Sequence, residues 1–191
     1  MCYAAERSGL MNDQELTKYS GEHLLYEFRM FWWLTGAVSY MDGYMRDALL
    51  EAWLVHLRNL INFFCSKGSQ DDVIAAHFFD NPNAWSKPES DTLDKALYRA
   101  NKELSHITAK RRYKGEEDTD WKIGPLFDQI RNIAMKFAKD ASGAKLHPDV
   151  KRLLDASHPE GMVAFGGVSL STNSAPRPQT LLPLSRWRNT P

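Results

Sequence analysis

The sequence predicts an all-α fold, a single helical bundle of four long helices with short accessory helices. Three observations lead there. Apolar residues recur at the i, i+3, i+4, i+7 spacing of a helix face in the long segments. Few stretches show the period-two alternation of a half-buried strand bounded by turn residues. No unit repeats along the chain at a fixed period, which sets solenoids aside. The 191 residues, 43% hydrophobic and 12% aromatic, suit one domain large enough to bury a core.

Residues 1–19 read as a leader, with a short helix at 13–19. Ser20 is the expected N-cap of the first long helix, over 20–40, with Glu22 and His23 in its first turn. Gly36 inside it costs about 1 kcal/mol relative to Ala, so it marks a close helix contact or a weak point. The next helix, about 44–66, carries the clearest stripe: Leu49, Leu50, Trp53, Leu54, Leu57, Leu60, Ile61 and Phe64. Gly68 is a natural residue to end it. Residues 71–80 suggest a short helix closed by Asn81-Pro82-Asn83. Pro88, Ser90 and Asp91 then announce a helix over 90–111, striped by Leu93, Ala96, Leu97, Ala100, Leu104 and Ile107. The last long helix, 120–139, turns Ile123, Leu126, Ile130, Ile133, Ala134 and Phe137 inward, with Asp118 or Thr119 as cap. Gly124-Pro125 offers a start one turn later. The compact unit is thus expected over 20–145. Residues 146–191 hold one short helix, about 148–156, and from Gly161 a Gly-, Ser-, Thr- and Pro-rich tail that buries too little to offset its ordering entropy.

Charge and targeting signals narrow the function classes. Lys and Arg number 24 and Asp and Glu 24, so no net basic excess draws the whole surface to nucleic acid or acidic lipid. The segment 24–38 is the greasiest, but Glu27 and Arg29 interrupt it, and it falls short of the roughly 18–20 apolar residues of a membrane span. Two cysteines, Cys2 and Cys65, cannot make a disulfide framework. The expectation is a cytoplasmic protein without membrane contact. Phe31-Trp32-Trp33 spreads apolar surface around its helix, which suits either a central helix or a helix-mediated homodimer.

The most informative segment is RANKELSHITAKRR, residues 99–112. On a helix, Arg99 and His106 share one face, two turns or roughly 10 Å apart. An Arg and a His separated by six residues resemble the signature of the HEPN superfamily, helical bundles that include many RNA-cutting toxins and defence factors. Ala100 follows the Arg here, where the family often has a polar residue, and Asn101 comes one place later. The resemblance implies a metal-independent endoribonuclease, or an RNA-binding protein, that works as a homodimer without a cofactor. Arg99 would stabilise the phosphate, His106 would act as acid and base towards the ribose 2′-hydroxyl, and Asn101 would position substrate. The bland alternative is a surface charge ladder in which Glu103 joins Arg99 to His106.

A second segment, LLEAWLVHLRNLINFF at 49–64, sets His56, Arg58 and Asn59 in the most apolar helix. Arg58-Asn59 begins the same signature, but no His follows at the required distance. His56 and Arg58 lie on nearly opposite sides of the helix, whereas His56 shares a side with Asn59 and Phe63. Polar residues there need a partner or a wet cleft, so Arg58 and Asn59 are candidate substrate contacts. Together with NKELSHITAKRR and Trp121, this segment resembles a group of uncharacterised bacterial helical proteins over residues 20–140, which implies no activity.

Between 99 and 114 stand six basic residues and one acidic one, a local excess of five, followed by Glu116, Glu117, Asp118 and Asp120. Lys110, Arg111 and Arg112 are therefore candidate RNA contacts beside His106. His56, His77 and His106 lie on three predicted helices without a local His or Cys pair to fix geometry, and no metal site is predicted. The rival functional reading is a non-catalytic helical module for interaction or dimerisation.

Overall fold

The computed structural model describes residues 11–69, 71–105 and 120–155, and every regular element among them is helical. α1 spans Asp13–Tyr19 and runs through a π-helical turn at Ser20–Leu24 into α2, Leu25–Tyr40. α3 is Gly43–Cys65, α4 Asp91–Ser105, α5 Ile123–Asp140 and α6 Pro148–Leu154. No helix among the described residues is long and apolar enough to cross a membrane.

The short helix expected at 13–19 forms as α1, capped by Asn12, and it continues through Ser20 without the new cap expected there. Asn12 Oδ1 accepts from the Glu15 amide at 3.0 Å, and Glu15 Oε2 accepts from the Asn12 amide at 2.8 Å. This reciprocal pair satisfies two amides that have no partner inside the helix. Ser20 is fully buried, and its hydroxyl donates to the Thr17 carbonyl and accepts from the His147 amide, both at 2.9 Å. It therefore ties the π-turn to the start of α6 instead of capping a helix.

α2 and α3 pack along each other as a hairpin, and α4 and α5 close over them. The core takes Phe28, Phe31 and Leu34 from α2, Trp53, Leu57, Leu60 and Phe64 from α3, Leu93 and Ala100 from α4, and Ile130, Ala134 and Phe137 from α5. Phe31 stacks on Trp53 with ring centres 5.3 Å apart, and the Trp53 indole donates to the Thr35 hydroxyl at 2.8 Å. Of the aromatic run, Phe31 is buried, Trp32 packs edge-on against Phe28 and Phe127, and Trp33 stays 39% exposed. Leu16, Val150 and Leu154 join the same core, which thus draws on residues outside 20–145.

Three element boundaries differ from the sequence expectation. Residues 71–80 contain only a 3-10 turn at Ala75–Phe78. Asp72 accepts from the Ser69 amide and His77 Nδ1 from the Ile74 amide, so local side chains hold a turn where a helix was expected. Asn81 opens a second 3-10 turn, Pro82–Ala84, instead of only closing the first. α5 begins at Ile123, later than residue 120, with Pro125 in the first turn, where its missing N–H leaves no intrahelical bond unmade. Gly68 does follow α3, with φ +72°, a left-handed conformation that suits the glycine.

Candidate functional site

Arg99 sits two turns into α4, half-buried, with its guanidinium carbon 4.1 Å from the centre of the Trp121 ring. Its Nη1 donates to the Asp120 carbonyl at 3.1 Å. The cation is thus held over an indole ring at the chain's entry to α5. Tyr98, 63% exposed, stands beside it, with Lys102 Nζ 5.8 Å from the phenol ring centre. Lys95, Tyr98, Arg99 and Lys102 fall within about 100° of helix circumference. Asn101 is exposed on the flank of that arc. His106, Lys110, Arg111 and Arg112 lie outside the described residues, as does the Glu103 side chain of the alternative charge ladder.

Arg58 is half-buried on α3. Asn59 turns towards α2, where its Nδ2 donates to Glu27 Oε1 at 3.2 Å. His56 reaches the same carboxylate, with Nδ1 2.8 Å from Oε2. Since a carboxylate accepts only, Nδ1 carries the proton of this bond. The His56 ring is buried and meets Tyr26 edge-on, with centres 5.6 Å apart. His56 and Asn59 are therefore fixed as one unit with Glu27, which answers the need for a partner that the apolar helix created.

Glu27 in turn lines a cavity of about 390 Å³ between the π-turn, the C-terminal half of α3 and the turn at 71–74. Tyr19 and His23, ring centres 4.9 Å apart, form its rim with Asn59, Asn62, Asp71 and Asp72. Burial pushes the Tyr19 hydroxyl above its ordinary pKa, and the Glu27 and Asp72 carboxylates add to that shift. Asp72 is held below the usual carboxylate range by the Ser69 backbone and side chain. A π-turn widens the helix by one residue and often marks a functional position, and here it borders this cavity.

Sequence reasoning did not reach Glu27, Tyr19, His23 or Asp72 as site residues. The available signal was a charged residue inside the greasiest segment of the chain, together with two polar residues on one side of the most apolar helix. Pairing the two would have located the contact. Among the described residues, no three His, Cys, Asp or Glu side chains converge as a metal site needs. Cys65 is buried on α3, and that burial pushes its thiol up to about 11. Comparison with protein-family models, with curated proteins and with solved structures found no match.

Proposed function

We propose that α2 to α5 constitute a four-helix bundle of HEPN-like type and that the protein binds single-stranded RNA through α4 and the start of α5. The observation that carries this reading is the Arg99 guanidinium over the Trp121 ring, beside the exposed Tyr98. Unstacked bases pack on aromatic rings and guanidinium planes, and Lys95, Lys102 and Lys122 are exposed nearby to meet phosphates. The finer proposal is a metal-independent endoribonuclease in which Arg99 stabilises the phosphate, His106 moves the proton and Asn101 positions the ribose. An unreactive Cys65 and the scarcity of cysteine fit the cytoplasmic setting that belongs to this proposal.

Fluorescence anisotropy with a short single-stranded RNA, in chelator, tests it. Tyr98→Ala and Arg99→Ala should each weaken binding about tenfold, in line with stacking worth roughly 1–3 kcal/mol per base. Cleavage to cyclic-phosphate ends, lost in His106→Ala, would add the nuclease step. Unchanged affinity in both binding variants would sink the RNA reading.

The second reading, a homodimerising interaction module, has its own observation. Tyr40, Met41, Tyr44 and Met45 are all exposed at the corner between α2 and α3. Neighbouring exposed apolar side chains of this size suit a protein interface. Solution mass across a dilution series checks it: a dimer that Tyr44→Ser with Met45→Ser converts to monomer supports the module, and a wild-type monomer at every concentration excludes it.

A further inference from the structure

The cavity beneath the π-turn plays no part in the RNA reading, and its chemistry is of another kind. Phe63, Val73 and Ile74 give it an apolar wall, and Glu27 is among its lining residues. The lining includes no Lys or Arg; its charged members are Glu27, Asp71 and Asp72, with His23 at the rim. The Glu27 side chain is 24% exposed, so its carboxylate is partly withdrawn from water while held at a fixed angle. Each carboxylate oxygen has two acceptor positions, and His56 and Asn59 use one on each. Each oxygen thus keeps one acceptor position for a further donor. Burying a His to orient a carboxylate costs the fold desolvation energy that an apolar pair would not.

We propose that this cavity binds a small organic cation, an alkylammonium or alkylguanidinium whose charge pairs with Glu27 and whose chain lies on Phe63, Val73 and Ile74. The volume, about 390 Å³, fits a ligand at the small end of the roughly 300–1,000 Å³ typical of such sites. The sign of the ligand follows from the lining. An anion would meet three carboxylates, and a neutral molecule without donors would remove water from Glu27 without replacing its hydrogen bonds, while a neutral donor would leave the charge uncompensated. A cation with N–H donors does none of these. The ion pair gains because the Glu27 side chain is partly withdrawn from water and because His56 and Asn59 fix its geometry before the ligand arrives.

Three probes of equal chain length test the proposal on the full chain: n-butylammonium, n-butylguanidinium and n-butyrate, titrated by NMR and calorimetry. Both cations should saturate the site below about 10 mM and shift resonances of Tyr19, Asn59 and Ile74, while butyrate does not bind. Glu27→Gln keeps the shape and removes the charge, and should weaken the cations by about tenfold or more. Asn62→Trp, at an exposed position of the lining, fills the cavity without touching any charge and should abolish binding while circular dichroism stays native. If Glu27→Gln does not fold, the Asn62→Trp result decides. Butyrate binding as well as the cations, cation binding that survives Asn62→Trp, or no cation binding to the wild-type chain each overturns the proposal. Because none of these probes is RNA and none of these residues lies on α4, failure here is distinguishable from failure of the RNA reading.

Discussion

His56 Nδ1 lies 2.8 Å from Glu27 Oε2, joining the middle of α3 to the first turn of α2 by a hydrogen bond to a carboxylate that Asn59 also holds. The pair is 29 residues apart in sequence, and it links the two helices that form the longest contact of the fold. Removing one member leaves the other partly buried without its partner. His56→Ala should lower stability by about 2–3 kcal/mol, including the space left by the ring. Glu27→Gln keeps an acceptor and should cost less. Urea unfolding of the single and double variants measures the coupling. A sum of single effects equal to the double effect would show that the two side chains do not interact.

Gly21 and Gly36 should respond in opposite directions to alanine. A Cβ on Gly21 would stand 2.8 Å from His147 Cδ2, inside contact distance, so the His147 ring and its link to Ser20 must shift. Gly21→Ala should therefore destabilise, by about 1–2 kcal/mol. A Cβ on Gly36 meets nothing within 4 Å, and the site is an exposed position inside α2. Gly36→Ala should raise stability by about 0.5–1 kcal/mol. Thermal melts of the two variants, run side by side, check the contrast.

Arg99 should not tolerate Lys. Its contacts include the approach of the guanidinium carbon to the Trp121 ring and a bond from Nη1 to the Asp120 carbonyl, which the shorter-reaching, compact ammonium of Lys would have to remake together. Arg99→Lys should lose most of what Arg99→Ala loses, roughly 1 kcal/mol of stability for the cation–π contact and the bond together. Trp121 fluorescence should move to longer wavelength in both. A Lys variant with wild-type emission and stability would show that charge alone matters.

Stability should fall on mild acidification through His77. Burial, and then the nearby Lys145, lower the His77 pKa below its ordinary 6.5. The unfolded chain therefore binds a proton at a pH where the folded one does not, so stability is full above 6.5 and is lost as pH falls towards the depressed value. His77→Gln, which keeps a side chain able to accept from the Ile74 amide, should flatten this part of the pH profile. The check is urea unfolding of both proteins at closely spaced pH values below 7.

Cys65 should resist alkylation in the folded protein. Its thiol is buried and pushed up to about 11, so the thiolate fraction at neutral pH is on the order of one in ten thousand. In a Cys2→Ser background, iodoacetamide should label the chain only after denaturant is added. Rapid labelling under native conditions would show that the α3 C-terminus opens readily.

Several elements were legible in the residues themselves. The stripe from Trp53 to Phe64 is buried on α3 as its spacing predicted, and Leu126, Ile130, Ala134 and Phe137 face inward on α5. Such stripes are periodic because the α-helix is, and no long-range information is needed to read them. The short helix at 13–19 was equally local, with Asn12 as a polar cap followed three residues later by Glu15. What was not local is Ser20, expected as the cap of the next helix, whose hydroxyl instead accepts from the His147 amide 127 residues away.

By itself, then, the chain determined that it would be helical, where its long helices run and which of their faces turn inward. All of these follow from hydrophobic spacing and from residues that cap or break helices within a few positions. Only the tertiary structure decided what the polar residues on those helices do. Glu27 looked like an interruption and became the centre of a contact with His56 and Asn59. Helix spacing set Arg99 beside His106 and Glu103, and it could not show that the guanidinium also lies over Trp121, on the segment leading into α5. The physical reason is common to both cases. A buried or half-buried polar group takes whatever partner folding brings within hydrogen-bond reach, and spacing along one helix says nothing about the side chains a neighbouring helix presents.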